Sequence, residues 1–317
     1  MPELGFALSS EDHGPTELVR QAVLAERAGF AFALVSDHYH PWTDAQGESP
    51  FVWSTLGAVA HATERIRVGT GVTCPTIRIH PAILAQAAAT VAAMMPGRFF
   101  LGVGSGENLN EHVMGARWPL PAERLEMLEE AIEVLRLLWQ GGERSHRGRH
   151  YTVDHARVYT LPDEPPEVYV AATAPKAAEL AGRIGDGFIS TAPEPAYVQA
   201  FEDAGGRDKA KIGMMHCAYD EDEKAGLERA TALWPNLALK GPLGQDLATP
   251  SDFEAAAAMV DEEDVAEITP CGPDPARYLE EIRKYDEAGF THVYIHQIGE
   301  NQDEFAEFAA RELMPKL

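Results

Sequence analysis

Short apolar runs recur along the chain, each followed by a longer stretch in which apolar positions return at helical spacing. Residues 4–8 (LGFAL), 31–36 (AFALVS), 66–72 (IRVGTGV), 98–104 (RFFLGVG), 168–172 (VYVAA), 187–191 (GFIST), 212–219 (IGMMHCAY) and 292–298 (HVYIHQI) read as buried strands. In residues 16–29, Leu18, Ala22, Ala25 and Ala28 fall near helical spacing and Gly29 closes the helix as a cap. Residues 82–95, 124–139 and 276–289 carry the same amphipathic pattern. Strand–helix alternation implies parallel strands covered by helices. Eight such units predict an α/β fold of the closed (β/α)8 type, a TIM barrel, in one domain over residues 1–317. Two segments exceed a minimal barrel. Residues 145–162 hold two β-like runs around turn residues and predict a hairpin insertion. Residues 233–253 are rich in Pro and Gly and predict a long loop, functional or mobile, after the seventh strand.

Composition narrows the setting. Fifty acidic residues against 26 basic give a formal charge of −24, which repels nucleic acid phosphates and anionic membranes. No apolar run approaches the ~18 residues of a membrane span. The N-terminal residues lack the basic and apolar regions of a secretory signal. Cys74, Cys217 and Cys271 are far apart, with no CxxC, which excludes a disulfide framework or zinc cluster and predicts a reduced, cytoplasmic protein.

Barrel chemistry collects at the C-terminal ends of the strands. The second predicted strand emits Asp37, His38, Tyr39, His40 and Trp42. Three readings of His38 stand side by side. It could be a metal ligand with Asp37, His40, Glu107 or His296; a packed corner residue; or an acid–base group oriented by Asp37 with Glu107 across the pocket. The GVGSGEN segment (102–108) is a glycine-rich turn, either a plain tight turn or one admitting a ligand close to the backbone. It matches neither a Walker loop nor a complete dinucleotide fingerprint.

The segments SDHYHPW (36–42), GTGVTCPTIRIHPA (69–82), GRFFLGVGSGENLNEH (97–112), LWQGGERSHRGRHYTV (138–153), AGRIGDGFIST (181–191) and GFTHVYIHQIG (289–299) appear in an order that resembles the luciferase-like monooxygenase superfamily. The resemblance is to its deazaflavin branch, which includes F420-dependent glucose-6-phosphate dehydrogenases. It implies a (β/α)8 barrel with insertions, coenzyme F420 as cofactor, hydride transfer in place of oxygenation, and a homodimer. It places Asp37 and His38 at the deazaflavin ring, with His38 as base toward a substrate hydroxyl, Trp42 beside the charged ring and Glu107 as the acid, its pKa raised by burial. Gly71 and Val72 would form a cis peptide behind the ring. Cys74, Ser105, Gly106 and Asn110 match cofactor contacts, and Thr173, Ala174, Lys176 and Ala177 match the phosphate segment.

The family's sugar-phosphate grip is depleted. Thr191 is kept as a substrate residue, but Glu194 stands in place of one cation, and the EAAAAM (254–259) and EITPCG (267–272) stretches lack the others. A phosphate dianion needs charge-assisted partners. The expected substrate is therefore an unphosphorylated alcohol, sugar or ketone, and glucose 6-phosphate is disfavoured. An FMN-dependent monooxygenase of the same superfamily, a metal-dependent barrel hydrolase and a non-catalytic cofactor-binding protein are the alternatives.

Overall fold

The apolar runs form strands because each must bury both faces, one inside a barrel and one under helices. The computed structural model describes all 317 residues. Strands β1 (Glu3–Leu8), β2 (Phe32–Val35), β3 (Arg67–Thr70), β4 (Phe99–Val103), β7 (Glu167–Ala171), β8 (Gly187–Ser190), β9 (Ala210–Cys217) and β10 (His292–Gln297) close in the order β1-β10-β9-β8-β7-β4-β3-β2. Neighbouring barrel strands are parallel. The remaining strands, β5 (Arg144–Arg147) and β6 (Thr152–Ala156), form a separate antiparallel pair. No helix is long and apolar enough to cross a membrane.

Side-chain alternation divides each strand between two cores. Ala7, Phe32, Leu34, Phe100, Tyr169, Ile189, Ile212 and Tyr294 fill the barrel interior. Phe6, Val35, Val68, Leu101, Val170, Phe188, Val293 and Ile295 face outward into the larger core, where Leu18, Ala22 and Ala25 of the helix Pro15–Ala28 also pack. Aromatic rings fill the barrel by lying over glycines of the neighbouring strand. A Cβ on Gly5 would fall 2.5 Å from the Phe32 ring, and one on Gly69 2.3 Å from Phe100. Continuing the inward alternation toward the strand C-termini brings Ser9, Ser36, Gly104, Thr191, His216 and His296 to the mouth.

Two insertions brace that mouth. Glu130, on the helix Pro121–Trp139, accepts from the backbone N–H of His150 (2.9 Å) and Tyr151 (2.8 Å), and so holds the β5–β6 hairpin. Tyr151 in turn donates its hydroxyl to the carbonyl of Thr76 at 2.9 Å, in the loop leaving β3. Residues 233–253 are not an extended loop. They contain the short turns Pro235–Ala238 and Leu243–Asp246 and the start of a helix, Pro250–Ala257. That helix begins with a capping box between Thr249 and Asp252.

The tightest backbone approach lies between β3 and β4. A Cβ on Gly102 would stand 2.0 Å from the carbonyl oxygen of Thr70, which is backbone and cannot rotate away. Gly102→Ala should cost about 1–3 kcal/mol of stability, the range for overpacking. Chemical denaturation measures it, and a change below about 0.5 kcal/mol, the scatter of neutral surface substitutions, would contradict this packing.

Candidate active site at the barrel mouth

Three strand exits converge on one buried guanidinium. Asp37, leaving β2, accepts at Oδ1 from Arg78 Nη2 (2.8 Å) and at Oδ2 from Thr73 Oγ1 (2.7 Å). Arg78 also donates to the Asp37 carbonyl at 3.1 Å. Glu111, beyond β4, accepts at Oε2 from the backbone N–H of Ile77 (3.0 Å) and Arg78 (2.6 Å), with Oε1 3.7 Å from Arg78 Nε. Asp37 and Glu111 are fully buried, and burial holds the Glu111 carboxyl above the usual carboxylate range. Asp37 is thereby committed to Arg78 and Thr73, and does not orient His38 as its sequence neighbourhood suggested.

The partner of His38 comes from β1. His38 Nδ1 lies 3.1 Å from the carbonyl of His40, and its Nε2 lies 3.3 Å from Glu11 Oε1. A carbonyl only accepts, so Nδ1 carries a hydrogen. Nε2, left without a hydrogen in that tautomer, stands within charge-pairing reach of the Glu11 carboxyl. Glu11 is buried, and its Oε2 accepts from Ser36 Oγ (2.5 Å) and Ser9 Oγ (3.1 Å). The signal for Glu11 was in the sequence as the acid in SSEDH (9–13), at the exit of the first strand. Trp42 closes the other side. Its ring centroid is 5.0 Å from His38 and 5.1 Å, edge-on, from Phe253 in the segment that follows β9.

The β4 turn reaches His38 through Asn110. Asn110 Oδ1 accepts from the N–H of Tyr39 at 2.8 Å, and Nδ2 donates to Glu107 Oε2 at 3.2 Å. Asn110 therefore spends its amide joining the His38 loop to Glu107. Glu107 itself is half-buried, at the N-cap of the short helix Asn108–Glu111. The fully buried carboxyl of this turn is Glu111, so the burial expected of Glu107 belongs to its neighbour. Cys74 is also buried, with Sγ 2.9 Å from Thr76 Oγ1, and burial pushes its thiol well above the ordinary range. It packs beneath Gly106, whose φ of +84° suits glycine and whose Cβ would meet Cys74 Sγ at 2.5 Å. The thiol thus supports the turn. Ser105 stays half-exposed beside it.

The opposite wall is built of small residues. The Gly71–Val72 peptide is cis. A Cβ on Gly71 would lie 3.1 Å from Leu34 Cβ, and one on Gly104 2.8 Å from Val72 Cγ2 and 3.6 Å from Ala171 Cβ. Side chains there are kept short above the Phe100–Tyr169 layer, leaving a flat cradle. Next to it Thr173, Ala174 and Lys176 are exposed and Ala177 half-buried at the start of the helix Pro175–Ile184. Its N-cap, Ala174, has no capping side chain, so the first-turn N–H groups are open to an anion. Thr191 is exposed at the end of β8. His38 Nδ1 is held by the His40 carbonyl, His296 lies against Asp12 (3.3 Å), and no three His, Cys, Asp or Glu side chains converge as a metal-ligand set.

A family model of luciferase-like monooxygenases matches residues 3–292. An F420-dependent glucose-6-phosphate dehydrogenase of Nocardia farcinica is 39% identical, covering 99% of this chain and 98% of the relative. The enzyme of the same name from Rhodococcus erythropolis is also 39% identical, covering 99% of this chain and 97% of that one. An F420-dependent secondary alcohol dehydrogenase, solved in complex with an F420-acetone adduct, superposes with a TM-score of 0.92 at 28% identity, over 99% of this chain and 98% of that one. The F420-dependent tetrahydromethanopterin reductase of Methanopyrus kandleri, at 23% identity and a TM-score of 0.82 over 99% of both chains, shares the fold. With the closed barrel and matching motifs over nearly its whole length, the chain belongs to the luciferase-like monooxygenase family.

Proposed function

We propose that this chain is an F420-dependent oxidoreductase that moves a hydride between coenzyme F420 and a neutral alcohol, sugar or carbonyl compound. The observation that carries the reading is the His38–Glu11 pair, whose loop is tied at the Tyr39 N–H through Asn110 to Glu107, beside the cradle of Gly71, Gly104 and Ala171, where a Cβ on Gly104 would run into Val72. The residues fit the cofactor: the cradle of Gly71, Val72, Gly104 and Ala171 suits a flat ring, and the open helix start at Thr173, Ala174, Lys176 and Ala177 suits a phosphate. Bound there, F420 would supply the two-electron hydride acceptor or donor. The names of the relatives support the same cofactor.

The protein's own share is proton handling and positioning. The His40 carbonyl fixes the Nδ1–H tautomer of His38, which leaves Nε2 as the basic atom. Nε2 takes the hydroxyl proton of an alcohol, and Glu11, 3.3 Å away, stabilises the imidazolium so formed. Glu107, half-open to the mouth and held by Asn110, exchanges the second proton. Trp42 and Phe253 wall the site against water. The reading includes a cytoplasmic homodimer, for which Ile83 and Met94, exposed on the helix Pro81–Met94, offer apolar surface.

His38→Ala and Glu107→Gln should each lower F420-coupled turnover by roughly 10²–10⁴, the range for loss of a general acid or base. Cofactor affinity should move less. Absorbance assays across an alcohol and ketone panel read this, and near-native turnover in both variants would remove their catalytic roles.

Charge at the mouth argues against a phosphorylated substrate. Thr191 is accompanied by Glu194, while Arg277 pairs with Glu223 (2.5 Å) and Arg229 with Asp220 (2.9 Å). A charge-assisted hydrogen bond is worth about 1.5–3 kcal/mol. Glucose 6-phosphate should accordingly be poorer by at least about two to three orders of magnitude than in a phosphate-adapted relative. Efficient, saturable turnover at micromolar glucose 6-phosphate would contradict this.

A further inference from the structure

A second polar array crosses the mouth beside the first. Asp12 accepts from Trp234 Nε1 at 2.9 Å and lies 3.3 Å from His296 Nε2. His296 Nδ1 lies 2.9 Å from His216 Nδ1. His296 and His216 are register partners on β10 and β9. They follow the inward-facing Tyr294 and Met214 by two residues, so both belong to the interior face at the C-terminal end. Ser9 Oγ bridges the two arrays, 3.1 Å from Glu11 Oε2 and 3.4 Å from Asp12 Oδ2. His38 and His216 thus stand at opposite ends of one polar wall.

With His296 neutral, each hydrogen along the array has one place. The Asp12 carboxylate accepts, so His296 carries its hydrogen on Nε2. Neutral His296 then has a bare Nδ1, which can only accept, so His216 donates from its own Nδ1. That leaves His216 Nε2 as a lone pair. The His216 side chain is half-buried at the mouth, and its one hydrogen bond within the protein is the one at Nδ1. Burial, and then the neighbouring His296, push the His216 pKa well below the ordinary histidine value, which keeps the ring neutral. Thr191 follows the adjacent strand β8 directly.

We infer that Asp12 and His296 fix the tautomer of His216 so that its Nε2 forms an acceptor subsite for a second hydroxyl of the substrate, selecting neutral polyols or sugars over monofunctional alcohols. The inference rests on the oxidoreductase reading for the first hydroxyl. A neutral acceptor rewards a hydroxyl donor and offers nothing to a phosphate or a bare alkyl group. Trp234, whose ring lies 4.6 Å from His296 and 6.0 Å from His216, supplies the apolar face for the carbon chain.

Two measurements test it. Imidazole nitrogen NMR of the full chain near neutral pH should show His216 protonated at Nδ1 and bare at Nε2; a hydrogen on Nε2 of His216 overturns the inference. F420-coupled kinetics with propylene glycol and isopropanol, which differ by one hydroxyl, supply the second. The wild type should favour propylene glycol in kcat/KM by roughly tenfold, the contribution of one neutral hydrogen bond. His216→Phe should abolish that preference, mainly through KM, with the isopropanol rate changed less than about threefold, and His216→Gln, which restores an acceptor, should recover part of it. Equal loss on both substrates, or a preference that survives in His216→Phe, overturns the inference alone. No F420-coupled turnover by the wild type of any alcohol, or of any ketone with reduced F420, defeats both this inference and the reading beneath it.

Discussion

The pairing of Asp37 and Glu111 with Arg78 sets the geometry on which the candidate site depends. One guanidinium ties the exits of β2 and β3 to the turn after β4, with all three side chains out of water. Desolvation offsets much of the attraction in such a pair, so its contribution is to specificity of arrangement more than to net stability. Removing the cation would leave two carboxylates buried without a partner, which is why the three exits have no inexpensive alternative arrangement. His38 is the residue after Asp37, so fixing the Asp37 backbone and carboxylate also fixes where the imidazole begins.

From that anchor the mouth divides into two unlike halves. Toward β3, β4 and β7 the interior positions are Gly71, Gly104 and Ala171, and the surface is flat and apolar. Toward β1, β2, β9 and β10 it carries Ser9, Glu11, Asp12, His216 and His296, joined by hydrogen bonds, and His38, in contact with Glu11. A planar cofactor suits the first half and a hydroxylated substrate the second. The division follows from packing. Phe32, Phe100 and Tyr169 already fill the lower barrel, so only the layer above them is free to carry chemistry.

The barrel was legible because its strands are buried on both faces and read as unbroken apolar runs separated by amphipathic helices. The chemistry at the strand ends was legible in residue type but less so in partnership. Asp37 and His38 are adjacent in sequence, which suggested that one orients the other. Successive residues leaving a strand diverge, and Asp37 turns to Arg78 while His38 turns to Glu11. Glu11 follows the same strand-exit rule applied to β1. Glu107 and Glu111 are indistinguishable in sequence, and only the folded turn shows which of them Ile77 and Arg78 enclose. The helical start within the segment 233–253 was written in Thr249, Pro250 and Asp252, a capping box with proline at the first turn. Composition had masked it, because Pro and Gly nearby read as loop.

The central claim is that the flat half of the mouth takes a deazaflavin. Fluorescence titration of the purified chain with F420 and, separately, with FMN tests it most directly. The account predicts saturable F420 binding that is tighter than FMN binding and weakened when Gly104 is replaced by Val, which fills the cradle against Val72. Tight FMN binding with no response to F420 would contradict it.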